Sequence, residues 1–117
     1  MKNILKLIIL IAATMTSYID VSNEYPFAVI ALPGTVTATG NIVMKFNKAV
    51  DMENGYIYGN RYFTPTWSSD KKTVTLSPTD TWGNVGQQVN IWFHLYTPDS
   101  GGGRENISRD FYVRIVE

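Results

Sequence analysis

Along most of the chain, hydrophobic and polar residues alternate with period two. That spacing lets one face of a β-strand be buried while the other stays wet. In Ile42-Val43-Met44-Lys45-Phe46, residues 42, 44 and 46 share a face. In Thr73-Val74-Thr75-Leu76-Ser77, Val74 and Leu76 point one way and the threonines the other. The longest run is Gln88 to Tyr96, with Val89, Ile91, Phe93 and Leu95 expected inward and Asn90, Trp92, His94 and Tyr96 outward. A last strand repeats the pattern, with Phe111, Val113 and Ile115 inward and Tyr112 and Arg114 outward. No long stretch carries the 3.6-residue period of an amphipathic helix.

Weaker strands fill the gaps. Phe27-Ala28-Val29-Ile30-Ala31-Leu32 has the look of a buried run, ended by Pro33-Gly34. Tyr56-Ile57-Tyr58 and Tyr62-Phe63-Thr64 flank the turn dipeptide Gly59-Asn60, and Ser68-Ser69-Asp70-Lys71 forms a hairpin loop before Thr73. Pro78, Gly83 and Gly86 punctuate the approach to the longest strand. About seven strands with turn signals roughly every 8–12 residues predict an all-β protein, a two-sheet antiparallel sandwich. Thr97-Pro98-Asp99-Ser100-Gly101-Gly102-Gly103-Arg104-Glu105-Asn106 then connects the last two strands at one end. Pro98 and Asp99 open its turn, and the glycines supply backbone freedom.

The first residues follow a different pattern. Lys2 and Lys6 lead into the apolar run Leu7 to Ala13, followed by Thr14, Met15, Thr16 and Ser17. A basic start, a short apolar core and small residues after it describe a secretory signal peptide over residues 1–17. Thr14 with Thr16, or Met15 with Ser17, would occupy the small-residue positions of the cleavage site. A buried N-terminal strand or helix is the alternative. The run is shorter than the ~20 apolar residues of a membrane span, so a membrane is met only through this segment if it stays uncleaved. The expected location is secreted, or periplasmic and cell-envelope. Residues 18–117 then form one domain, and the absence of cysteine rules out both disulfides and a lipid-modified N-terminal cysteine. The chain has ten basic and ten acidic side chains, and Lys2 and Lys6 leave with the signal, so the mature domain is mildly acidic. A nucleic-acid partner is not expected of such a balance, because duplex binding relies on a basic surplus.

Several segments follow one another in a familiar order. They are Gly34-Thr-Val, NIVMKFNKAVD (Asn41 to Asp51), TWSSDKKTVTLSP (Thr66 to Pro78), GQQVNIWFHLY (Gly86 to Tyr96), PDSGGGREN and RDFYVRI. Together they resemble the bacterial Ig-like domain found in S-layer proteins and large bacterial surface proteins. Phe46, Val50, Trp67, Val74, Leu76, Pro78, Gly86, Val89 and Phe111 fall at places that match that family's pattern, over about residues 34–116. The resemblance implies an Ig-like sandwich serving as a non-catalytic, structural module at the cell surface. Two departures stand out. The loop near 99–106 is longer and richer in glycine than the family's usual form, and the family tends to occur as tandem modules.

Candidate chemistry narrows the field further. His94 is the only histidine, there is no cysteine, and no Gly-x-Ser-x-Gly elbow is present. Asp51 with Glu53, and Asp99 with Glu105 and Asp110, sit in predicted loops or strand ends, where solvated acids are ordinary. An enzyme is therefore not expected. A lone histidine argues against zinc. An EF-hand count from Asp99 puts Gly101 and Gly103 at positions that need oxygen side chains. That leaves only a weak calcium site built partly from backbone carbonyls, with Asp99, Ser100, Glu105, Asn106 and Asp110 nearby. Arg104 follows the glycines where a phosphate loop would need Lys and a helix, so no cofactor is expected. Asn106-Ile107-Ser108 is a glycosylation sequon.

What remains is surface. Trp92, Tyr96, Tyr112 and Arg114 are expected on one outward patch, because the last two strands of such a sandwich are neighbours. Tyr56, Tyr58 and Tyr62 add further aromatic groups. Such a patch either stabilises the sheet through cross-strand pairs or meets a partner. The leading expectation is adhesion or assembly through protein contacts or sheet-edge pairing. The alternative is a small carbohydrate-binding module using Trp92, Tyr96 and Tyr112 against a cell-surface polysaccharide.

Overall fold

The computed structural model describes residues 26–98 and 105–117. The predicted signal segment lies outside the described residues. Within them the chain forms eight strands and no helix: β1 (Val29–Ala31), β2 (Thr35–Thr37), β3 (Ile42–Phe46), β4 (Asp51–Gly59), β5 (Phe63–Trp67), β6 (Thr73–Pro78), β7 (Gln88–Tyr96) and β8 (Asn106–Val116). They build two four-stranded sheets, in the orders β1-β3-β6-β5 and β2-β8-β7-β4. This is the strand order of an Ig-like sandwich, with its first strand divided between the sheets. Pro33-Gly34 makes that division. Upstream, β1 pairs antiparallel with β3; downstream, β2 pairs parallel with β8, an exception to the otherwise antiparallel ladders.

The period-two reading becomes the core. Ile42, Met44, Val74 and Leu76 from one sheet meet Val89, Ile91, Val113 and Ile115 from the other, all fully buried. Each contributes roughly 1.5–3 kcal/mol by leaving water. Phe46 joins the sheets at one end. Its ring lies 5.9 Å from Phe27, 6.0 Å from Trp67 and 5.9 Å from Phe93, the last edge-to-face.

Three local expectations need correction. Only Phe27 of the run Phe27–Leu32 is buried, whereas Ile30 is 60% and Leu32 38% exposed. β1 is a sheet-edge strand with one neighbour, and a string of apolar residues does not say whether both faces will be covered. The last strand begins at Asn106 rather than 111 and runs eleven residues, with Ile107 buried on the inner face. Finally, the connection between β6 and β7 is more than punctuation. Trp82 within it is the largest fully buried side chain among the described residues. Its Nε1 donates to Gly40 O (2.7 Å), its backbone N donates to Ala38 O (2.8 Å), and Arg61 Nε donates to its carbonyl (3.0 Å). A buried indole needs such a partner for its N–H, and here it latches the connection onto the turn before β3.

Candidate contact face on the β8-β7-β4 sheet

Register decides which outward side chains meet. β7 pairs with β8 along its whole length, Gln88 opposite Arg114, Asn90 opposite Tyr112, Trp92 opposite Asp110, His94 opposite Ser108 and Tyr96 opposite Asn106. On its other side, Trp92 faces Tyr58 and His94 faces Tyr56 of β4. Tyr96 faces Asp51, because three extra residues bulge out of β4 between Asp51 and Tyr56. Asp51 holds that bulge: its Oδ1 accepts from Glu53 N (3.0 Å) and its Oδ2 from Asn54 Nδ2 (2.9 Å).

The four predicted patch residues therefore do not form one cluster. Trp92 and Tyr96 share a face, and Tyr112 lies one step diagonally from Trp92. Arg114 sits at the far end of the ladder from Tyr96, about 26 Å away at ~3.3 Å per residue. The aromatic cluster gathers instead on β4 and β7. Tyr56 and Tyr58 stack at 5.1 Å, His94 and Tyr96 stack at 4.9 Å, and Tyr56 tilts against His94 at 6.2 Å. Tyr56 and Tyr58 are 45% and 58% exposed, while Trp92, His94 and Tyr96 are half-buried. Tyr56 and Tyr58 had a visible signal, a Tyr-x-Tyr alternation, but their meeting with His94 depends on the bulge. Tyr62 stands apart in the β4–β5 turn, 88% exposed.

His94 faces outward as expected, yet it is walled in by these rings. Its Nε2 is buried with no hydrogen-bond partner.

The acids have structural duties. Glu105 ion-pairs with Lys48 through Oε1 and accepts from Phe27 N through Oε2 (3.2 Å). The Lys48 hydrogen bond, then the Phe27 amide, hold its carboxyl below the usual range. Both oxygens of Glu105, one of the residues near the weak calcium site considered from sequence, are thus engaged within the fold. Asp110 accepts from Asn90 Nδ2 across the ladder. Asp99, Ser100, Gly101, Gly103 and Arg104 lie outside the described residues. Among the described residues no group of three or more His, Asp or Glu is placed to hold a metal ion.

The fold defines an Ig-like β-sandwich with an aromatic outer face. No family model matches the chain, and no curated protein matches it either.

Proposed function

We propose that the chain is an exported, non-catalytic Ig-like module for adhesion or assembly at the cell envelope, meeting a protein partner through the aromatic face of β4 and β7. One observation carries the choice of partner. The rings of Tyr56 and Tyr58, and those of His94 and Tyr96, are stacked on each other along their strands. Rings stacked this way stand on edge above the sheet, offering edges and hydroxyls to solvent. A sugar platform needs open ring faces, whereas tyrosine edges with hydroxyl tips suit a protein interface. The basic, then apolar, start of the sequence supports export.

The test is site-directed photo-crosslinking in cells, with the crosslinker at Tyr58 or, as control, at Thr66 on the opposite sheet. Envelope proteins captured from position 58 but not from 66 are expected. Equal capture at both positions, or a protein confined to the cytosol, would overturn the reading. Depletion by insoluble polysaccharide that is lost on Trp92→Ala would favour the carbohydrate alternative.

A further inference from the structure

The β4 edge carries an unusual sequence. Asn54-Gly55-Tyr56-Ile57-Tyr58-Gly59-Asn60 is a palindrome, centred on the part of β4 that lies beyond its bulge. β4 is also the longest edge strand: β1 and β2 have three residues each, and β5 has five with Pro65 in its middle. Short edges and edge prolines discourage pairing between chains, and β4 past its bulge has neither protection.

The backbone groups are aimed accordingly. Asn60 N donates to Asn90 O (3.1 Å), so residue 60 addresses β7. Alternation along an antiparallel strand then turns the N–H and C=O groups of Gly59, Ile57 and Gly55 toward the free edge. The two glycines also serve the protomer. A Cβ on Gly55 would lie 2.8 Å from His94 O, and one on Gly59 would lie 2.9 Å from Ile91 Cδ1. Tyr56 and Tyr58 touch each other, and Tyr56 touches His94, yet both tyrosines stay exposed beside the free edge.

We infer that the partner fitting this edge is a second copy of the chain, paired antiparallel through β4 about a two-fold axis at Ile57. A two-fold interface requires a surface complementary to itself, and the palindromic run Gly55-Tyr56-Ile57-Tyr58-Gly59 meets that requirement. Ile57 faces its own counterpart once, on the axis, while Gly55 faces Gly59 and Tyr56 faces Tyr58 twice each. The pairing forms about six main-chain hydrogen bonds and joins two four-stranded sheets into one of eight. It gathers four tyrosines on the outer side of the seam. On the inner side, both copies of Ile57 close the mouth of a cleft of about 160 Å³ between the sheet edges, lined by Met52, Pro65, Trp67 and Leu95. The surface involved is small, which places the dimer in the weak, concentration-dependent class.

This inference rests on the reading of the chain as a contact module, and its test is separate from the crosslinking above. Sedimentation equilibrium of the purified protein should show a concentration-dependent rise to twice the monomer mass. The chain has no native cysteine, so Ile57→Cys should oxidise to a disulfide-linked dimer, because position 57 meets itself at the ~5.5 Å Cα spacing of a bonded pair. Thr64→Cys on the β5 edge should not. Monomer mass at every concentration up to about 1 mM, or an Ile57→Cys variant that links no faster than Thr64→Cys, would overturn the self-pairing. Either result would leave captures from position 58 standing or falling on their own.

Discussion

The two sheets bury similar inner faces but present different outer ones. Outside β1-β3-β6-β5, the cross-strand neighbours are Lys45 with Thr73, Val43 with Thr75, Thr66 with Thr75 and Thr64 with Ser77. Most are small, β-branched or hydroxyl-bearing residues, the sort that suit a solvated strand surface. Outside β2-β8-β7-β4, the outward positions hold Tyr56, Tyr58, Trp92, His94 and Tyr96. The sandwich needs only the inner faces to close, so the contrast outside is not demanded by folding. It marks where the chain places large aromatic side chains outside its core.

The contrast can be attacked from the inside first. Trp82→Ala should cost about 3–5 kcal/mol in urea unfolding, because it opens a cavity and orphans the acceptor at Gly40. That exceeds anything expected from either outer face. A loss below about 1 kcal/mol would mean the β6–β7 connection is not latched by its indole. Next come matched changes outside. Tyr58→Ala and Thr75→Ala should each change stability by no more than about 1 kcal/mol, while only the former abolishes photo-crosslinks placed elsewhere on the aromatic face, for example at Tyr112. Equal effects on capture would erase the distinction between the faces.

Acid gives a subtler probe. Glu105 has its pKa lowered in the folded state, chiefly by Lys48 and then by the Phe27 amide. Its contribution is therefore complete above the unfolded carboxyl pKa, about 4.3, and is lost as pH falls through the lower folded value. Glu105→Gln should flatten that part of the acid limb in stability measured from pH 7 downward, and an unchanged limb would sink the assignment. The smallest effect belongs to the β5–β6 hairpin, where Lys71 adopts φ 62°. A left-handed conformation disfavours side chains by about 1 kcal/mol, partly offset by glycine's entropy. Lys71→Gly should therefore raise the urea midpoint slightly at constant m, and a fall would show that the loop prefers its lysine.

The fold was legible where one face of a strand is buried and the other is not. β3, β6, β7 and the C-terminal half of β8 could be read residue by residue, because alternation is a local property. β2 was not, since three residues whose partner is the last strand carry no period of their own. Trp82 was missed for a related reason. Its burial comes from Gly40 and Ala38, some forty residues earlier, and its neighbours in sequence, Thr81 and Gly83, signal a loop. At the candidate face, the sequence showed that Trp92 and Tyr96 point outward and share a strand side. It did not show that Tyr56 would lie against His94, since that depends on a bulge that shifts β4 past Asp51. The same dependence on register sets Arg114 apart from the patch to which it was assigned.

The parallel pairing of β2 with β8 has a mechanical consequence. These are strands from opposite ends of the fold, joined at Thr35–Arg114, Val36–Ile115 and Thr37–Val116, with Arg114 N also bonded to Gly34 O. Because they run in the same direction, tension between the chain's ends drags them past each other lengthwise. The short ladder is then loaded in shear, with its bonds sharing the force together, rather than peeled open one bond at a time. In a domain tethered at both ends, once the upstream β1–β3 pairing yields, this seam bears the shear, while the longer β4, β7 and β8 ladders behind it carry no direct load until the seam gives way.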